Sequence, residues 1–159
     1  MAENDQLSGW RTFLRQLHAR NIETVIIGGT ALSLHGLPRT TLDIDLVAPV
    51  ERLADLFQIM DELGWESPQA ALRSLATRPD LATGQCLSFR PPGGADLIDV
   101  FLATAPEVQE LDKDAETIEF LGTPLRIASL RRLRAMKLAT ARPIDLADVA
   151  MIDEILEND

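Results

Sequence analysis

The sequence is poor in most of the residues from which specialised protein classes are built. Its 159 residues include one cysteine, Cys86, so no internal disulfide can form and cysteine-cluster zinc sites are excluded. Nothing near Cys86 in sequence would lower its pKa, and it reads as a small core residue. Histidine is nearly as scarce. His18 sits on a polar helix face and His35 near a helix C-terminus, where a cation is favourable anyway, so both read as structural. No Cys–His or Ser–His–Asp set is suggested by spacing. No apolar run approaches the roughly 18 residues that cross a bilayer. The opening MAENDQLSGW is acidic and polar, where a secretory signal would be basic and then apolar. Basic residues are also few, 15 Lys and Arg against 25 Asp and Glu, for a net charge of −10. Proteins that hold extended duplex DNA draw their affinity from neutralising phosphates, so this balance argues against that class. The rest is ordinary: 46% hydrophobic and 25% charged residues, enough for a single cytoplasmic α/β domain over 1–159 with a core of its own.

Periodicity places the elements. Leu7, Trp10, Phe13, Leu14 and Leu17 recur at helical spacing over 5–20. A β-branched run over 24–27 predicts a buried strand that ends at Gly28-Gly29, and 30–35 reads as a helix with Gly36 as its C-cap. Residues 42–47 alternate apolar and acidic with period two, predicting a strand with Leu42, Ile44 and Leu46 in the core. Pro49 opens a helix to about Leu63, stopped by Gly64. The stretch 65–83 is the least readable, with a helical piece over 69–76. Strands follow over 85–90 and 96–102 around the Pro91–Gly94 turn, and a helix over 106–115. Two short strands, 117–121 and 124–127, flank Gly122, and helices over 129–141 and 143–157 complete a layered α/β chain.

The chemistry concentrates in VIIGGTALSLHGLPRTTLDIDLV, residues 25–47. A strand runs into two glycines at the start of a helix. Glycine lets a phosphate approach the backbone N–H groups, the helix end offers its unpaired N–H groups and positive dipole, and Thr30 adds a hydroxyl. Asp43 and Asp45 stand two apart on a strand, on one face. About 6.6 Å of strand separates them, and at an effective dielectric near 20 their repulsion is roughly 2–3 kcal/mol. A cation would relieve it, and hard oxygen donors suit Mg²⁺ or Mn²⁺. Asp99 lies in Leu97-Ile98-Asp99-Val100-Phe101, a buried-looking strand that should not tolerate an unpaired charge. If the two strands are neighbours, three carboxylates converge, which is what two-metal phosphoryl or nucleotidyl transfer needs. Asp96, just after the Gly93-Gly94 turn, is expected to be exposed.

These residues resemble the nucleotidyltransferase superfamily that shares its fold with DNA polymerase beta. The resemblance rests on Ile27-Gly28-Gly29, thirteen intervening residues, and Asp43-Ile44-Asp45-Leu46. The wider pattern of Gly-Gly-Thr-Ala, His35-Gly36 and Arg39-x-Thr41-x-Asp43-x-Asp45 looks most like bacterial abortive-infection-toxin-like nucleotidyltransferases. Ser129–Leu133, Lys137–Ala139 and Arg142–Val149 look like the C-terminal helical segment of that branch. The resemblance implies a small mixed β-sheet flanked by helices, with a catalytic core over about 22–104 and a helical segment over about 128–157. It implies that Gly28, Gly29 and Thr30 hold the β- and γ-phosphates of a nucleoside triphosphate. Asp43 and Asp45 would bind two Mg²⁺ (or Mn²⁺) ions, and Asp99 would be the third ligand near the attacking hydroxyl. Lys137 would contact phosphate, and Asp145 or Asp148 would shape the acceptor or nucleotide site. The implied acceptor is RNA (a tRNA end), a protein or a small molecule, often within a toxin–antitoxin pair.

Charge placement adds two candidates. Arg39, just before the aspartates, is well placed to meet phosphate. Arg126, Arg131, Arg132, Arg134, Lys137 and Arg142 put six of the fifteen basic residues into seventeen positions, a stripe that could neutralise a triphosphate or grip a piece of RNA. Two other readings use the same residues: a nucleotide- or partner-binding domain without turnover, antitoxin-like, and a metal-dependent phosphohydrolase.

Overall fold

The computed structural model describes residues 3–159; Met1 and Ala2, the start of the segment weighed above against a secretory signal, lie outside the described residues. A mixed α/β architecture results, with six strands in one sheet in the order β3-β4-β2-β1-β6-β5 and helices packed around it. The strands are β1 (Val25–Ile27), β2 (Ile44–Pro49), β3 (Cys86–Phe89), β4 (Ile98–Ala103), β5 (Glu116–Phe120) and β6 (Thr123–Ile127). The helices are α1 (Glu3–Ala19), α2 (Gly28–Leu34), α3 (Leu53–Leu63), α4 (Ala105–Asp112), α5 (Leu130–Thr140) and α6 (Pro143–Glu157). None of the helices among the described residues is long and apolar enough to cross a membrane.

The centre of the sheet positions everything that matters chemically. β2 and β4 run parallel with Asp45 opposite Asp99, and β1 pairs antiparallel to β2 with Ile27 opposite Asp45. β3 pairs antiparallel to β4 with Ser88 opposite Asp99. One row of the sheet therefore reads Ser88, Asp99, Asp45, Ile27, with Gly28 next in the chain. The opposite face carries Ile44, Leu46, Ile98, Val100, Leu87 and Phe89, all fully buried. Against that core lie Trp10, Phe13, Leu14 and Leu17 of α1, as their spacing predicted. Phe13 packs 5.9 Å from Trp65 and 4.6 Å from Phe89, ring centre to ring centre. The Trp10 indole N–H donates to the Leu97 carbonyl at 3.0 Å, fixing the entry to β4.

Local chemistry sets the boundaries. Gly64 ends α3 in a left-handed conformation (φ +68°). Leu121 and Gly122 (φ +53° and +82°) form a two-residue hairpin turn between β5 and β6 whose twist matches the strands. Ser129 caps α5 by accepting from the Arg132 N–H. Three expectations are corrected. Leu42 is 76% exposed and precedes β2, so Asp43 lies in a bend rather than in the strand. Pro49 closes β2, and a 3₁₀ turn (Val50–Arg52) intervenes before α3. The piece over 69–76 is a 3₁₀ helix (Ala70–Leu75) with no buried residue, which is why periodicity could not define it.

Candidate active site

Asp43, Asp45 and Asp99 converge, each offering a carboxylate oxygen such that the three atoms lie within 4.8 Å of one another. The parallel β2–β4 pairing brings Asp45 and Asp99 side by side. Asp43 reaches them from its bend because the Thr30 hydroxyl donates to the Asp43 carbonyl at 3.1 Å, while the Ile44 N–H donates to Leu97 at 2.9 Å. Among the described residues no basic side chain forms an ion pair with any of the three, so each feels the like charge of the others. Burial and then Asp99 push the Asp43 carboxyl up to about 6. Burial and then Asp43 and Asp99 push Asp45 up to about 7, with Lys137 opposing the rise. The half-buried Cys86 thiol is pushed up to about 11, by burial first and then by Asp99, and is chemically quiet, as its sequence setting predicted. Asp96 is partly buried and 3.7 Å from Arg90, outside the cluster.

The glycine pair abuts this cluster. Gly28 has φ +70°, and a Cβ there would stand 2.6 Å from the Asp45 carboxylate; one on Gly29 would stand 2.6 Å from the Thr41 methyl. Side chains are thus excluded by the site itself. Thr30 is buried, and its hydroxyl also contacts that of Thr41 at 3.1 Å. It ties α2 to the bend carrying Asp43.

The C-terminal hairpin supplies a second cluster. Asp148, 1% exposed, lies 3.4 Å from Arg39 and 3.2 Å from Lys137. Asp145 is fully buried and accepts from the Arg142 N–H at 3.0 Å and from its guanidinium at 2.8 and 3.1 Å, with Lys137 3.4 Å away. Those Arg142 bonds hold the Asp145 carboxyl well below the usual range. Asp145 therefore anchors the start of α6, and Asp148 joins Arg39, from the loop before the triad, to Lys137. Five of the six basic residues in the stripe expected over 126–142 form ion pairs, while Arg131 is exposed. Arg126 pairs with Asp112, Arg132 with Asp114 and Glu110, and Arg134 with Asp153, so most of the stripe's charge is matched within the chain. His35 Nε2 donates to the Ala128 carbonyl (2.7 Å), tying the end of α2 to the residue after β6. Sequence reasoning missed Ser88, whose hydroxyl donates to Asp99 at 2.6 Å; its only sequence signal was an isolated polar residue between Leu87 and Phe89.

An acidic triad beside a strand–Gly-Gly–helix corner on a mixed sheet marks the nucleotidyltransferase class. The family model described as nucleotidyltransferase of unknown function (DUF6036) matches residues 6–156, and the chain belongs to that family. Among solved structures, ANT(2")-Ia in complex with adenylyl-2"-tobramycin is similar in fold, with TM-score 0.65 and 20% identity over 96% of this chain and 90% of that one. An antigenic nucleotidyltransferase-like protein from Paracoccidioides brasiliensis is similar at TM-score 0.60 and 18% identity, over 98% of this chain and 78% of that one. No curated protein sequence matches the chain.

Proposed function

We propose that the protein transfers a nucleoside monophosphate from a nucleoside triphosphate to an acceptor hydroxyl, using two divalent ions held by the triad. The convergence of Asp43, Asp45 and Asp99, with no ion-pair partner among the described residues, carries this reading. The donor set fits the ions: three hard carboxylates, two of them raised in pKa by burial and by their acidic neighbours, are a site that Mg²⁺ or Mn²⁺ would complete. Asp43 and Asp45 would hold the ions, with Asp99 as a further ligand. Bound there, the ions supply electrostatic stabilisation of the phosphorus centre and acidify the acceptor hydroxyl.

The chain's own groups do the positioning. The N–H groups of Gly28, Gly29 and Thr30 receive the β- and γ-phosphates, and Arg39 and Lys137, gathered by Asp148, add positive charge at that edge. Asp99 lies on β4, beyond β2 from the glycine corner on β1. An acceptor next to Asp99 is therefore opposite the pyrophosphate, as in-line displacement requires. Asp99 receives the hydroxyl proton, the new O–P bond forms at the α-phosphorus, and pyrophosphate departs with the bonding pair. The acceptor is RNA, a protein or a small molecule, and transfer to tRNA or protein would fit a role in a toxin–antitoxin pair.

Incubating the protein and Mg²⁺ with each α-labelled triphosphate, total tRNA, total protein and a small-molecule extract tests the proposal. Label entering one fraction names the acceptor class. Label that never leaves the nucleotide pool overturns the transfer reading.

A further inference from the structure

Asp99 must keep its carboxylate in a cluster that repels it. Its own strand fixes the backbone but not the side-chain torsion, and rotation away from Asp43 and Asp45 would relieve like-charge repulsion. Ser88 opposes that rotation. It lies directly across the β3–β4 pairing from Asp99, is 6% exposed, and donates its hydroxyl proton to Asp99 Oδ1 at 2.6 Å. A hydrogen bond to a charged acceptor at this length is among the stronger kinds.

Ser88 is itself braced. β3 is an edge strand, whose outward N–H groups lack a strand partner. The Ser88 N–H instead donates to the Gln69 side-chain oxygen at 2.8 Å, and that oxygen also accepts from the Ser67 hydroxyl at 3.2 Å. The Gln69 N–H donates back to the Ser67 oxygen at 3.1 Å. A segment with no buried residue in its 3₁₀ helix thereby grips the edge of the sheet at the position facing Asp99.

We propose that Ser88 is a positioning residue for the metal site, occupying one oxygen of Asp99 so that the other is left for a divalent ion, with Gln69 as its brace. The inference rests on the two-ion reading above. Partners of this kind orient a ligand without touching the ion, and their loss typically weakens metal binding by about 10- to 100-fold.

The test is Mn²⁺ binding to the full chain without nucleotide, read from the electron paramagnetic resonance signal of free Mn²⁺, on wild type, Ser88→Ala, Ser88→Thr, Gln69→Ala and Asp43→Asn. Ser88→Ala is expected to weaken binding about tenfold, Ser88→Thr to restore it, and Gln69→Ala to weaken it by less in the same direction. In turnover, Ser88→Ala should shift the Mg²⁺ concentration for half-maximal rate upward while leaving KM for the triphosphate unchanged. If Ser88→Ala fails to fold, Ser88→Thr and Gln69→Ala carry the comparison. Wild-type Mn²⁺ affinity in Ser88→Ala and Gln69→Ala, with binding lost in Asp43→Asn, overturns the positioning role and leaves the metal site standing. No Mn²⁺ binding by the wild type overturns both.

Discussion

Two groups of buried or half-buried aspartates lie on neighbouring parts of this molecule and behave in opposite ways. Asp43, Asp45 and Asp99 face one another, and Asp45 is pushed up to about 7. Asp145 and Asp148 face Arg142, Lys137 and Arg39, and Asp145 is held far below the ordinary range. The residue type is the same; the partners differ. The hairpin cluster is completed by the chain's own cations and fastens α5 and α6 to the loop before the triad. The sheet cluster has no such completion, which is the arrangement a cation-binding reaction centre calls for.

The largest effects should separate the clusters by function. Asp43→Asn, Asp45→Asn or Asp99→Asn is expected to lower transfer roughly a thousandfold or more, measured as label incorporation, with the fold intact by circular dichroism. Asp148→Ala should do the reverse of that pattern on stability. It strips a buried carboxylate from two cations and should cost on the order of 3 kcal/mol in denaturant unfolding. Gly28→Ala should damage both properties, since the φ of +70° strains any side chain and the new Cβ would press on Asp45. A loss exceeding about 1 kcal/mol in unfolding, together with lost transfer, is the expected result.

The pH dependence sharpens the contrast. An acid whose pKa is raised on folding binds its proton more tightly in the folded state. The fold is therefore undisturbed by Asp43 and Asp45 at pH below about 4, and loses stability as pH rises through about 6 to 7. Without divalent ions, Tm should fall between pH 5 and pH 8 across the range these two acids titrate. Mg²⁺ at pH 8 should raise it again, and Asp45→Asn should both flatten the fall and remove the Mg²⁺ response. A Tm that rises from pH 5 to pH 8 without metal would break the comparison. The smallest effect belongs to the solvent-exposed pairs. Arg134→Ala, which frees Asp153, should change stability by less than about 1 kcal/mol and leave transfer untouched.

How much of this was legible follows from which interactions are local. The triad was readable because the acidic residues Asp43 and Asp45 stand two apart, although Asp43 joins the cluster from a bend and not from the strand its period-two pattern predicted, and because Asp99 interrupts an apolar run that reads as a buried strand. The pairing that unites them was a conditional, since nothing in the spacing of residues 43 and 99 fixes the strand order. Gly28 and Gly29 stood out for phosphate access, yet their contacts with Asp45 and Thr41 are equally binding reasons and invisible in one dimension. The basic stripe over 126–142 read as free because its acidic partners, among them Asp112, Asp114 and Asp153, come from other elements or the next helix. Leu42 fitted the alternation but falls outside the strand, where the bend carrying Asp43 turns it to solvent. Gln69 and Ser88 belong to segments with no long periodic signal, and their link to Asp99 exists only once the sheet edge has formed.

The most direct test is the product released from a triphosphate by the wild type and by Asp99→Asn in Mg²⁺, with the acceptor fraction present. Pyrophosphate released in step with label transfer by the wild type, and absent both without Mg²⁺ and in Asp99→Asn, is the result expected from a metal-completed triad. Orthophosphate with no label transferred, or pyrophosphate release that survives Asp99→Asn, would contradict it.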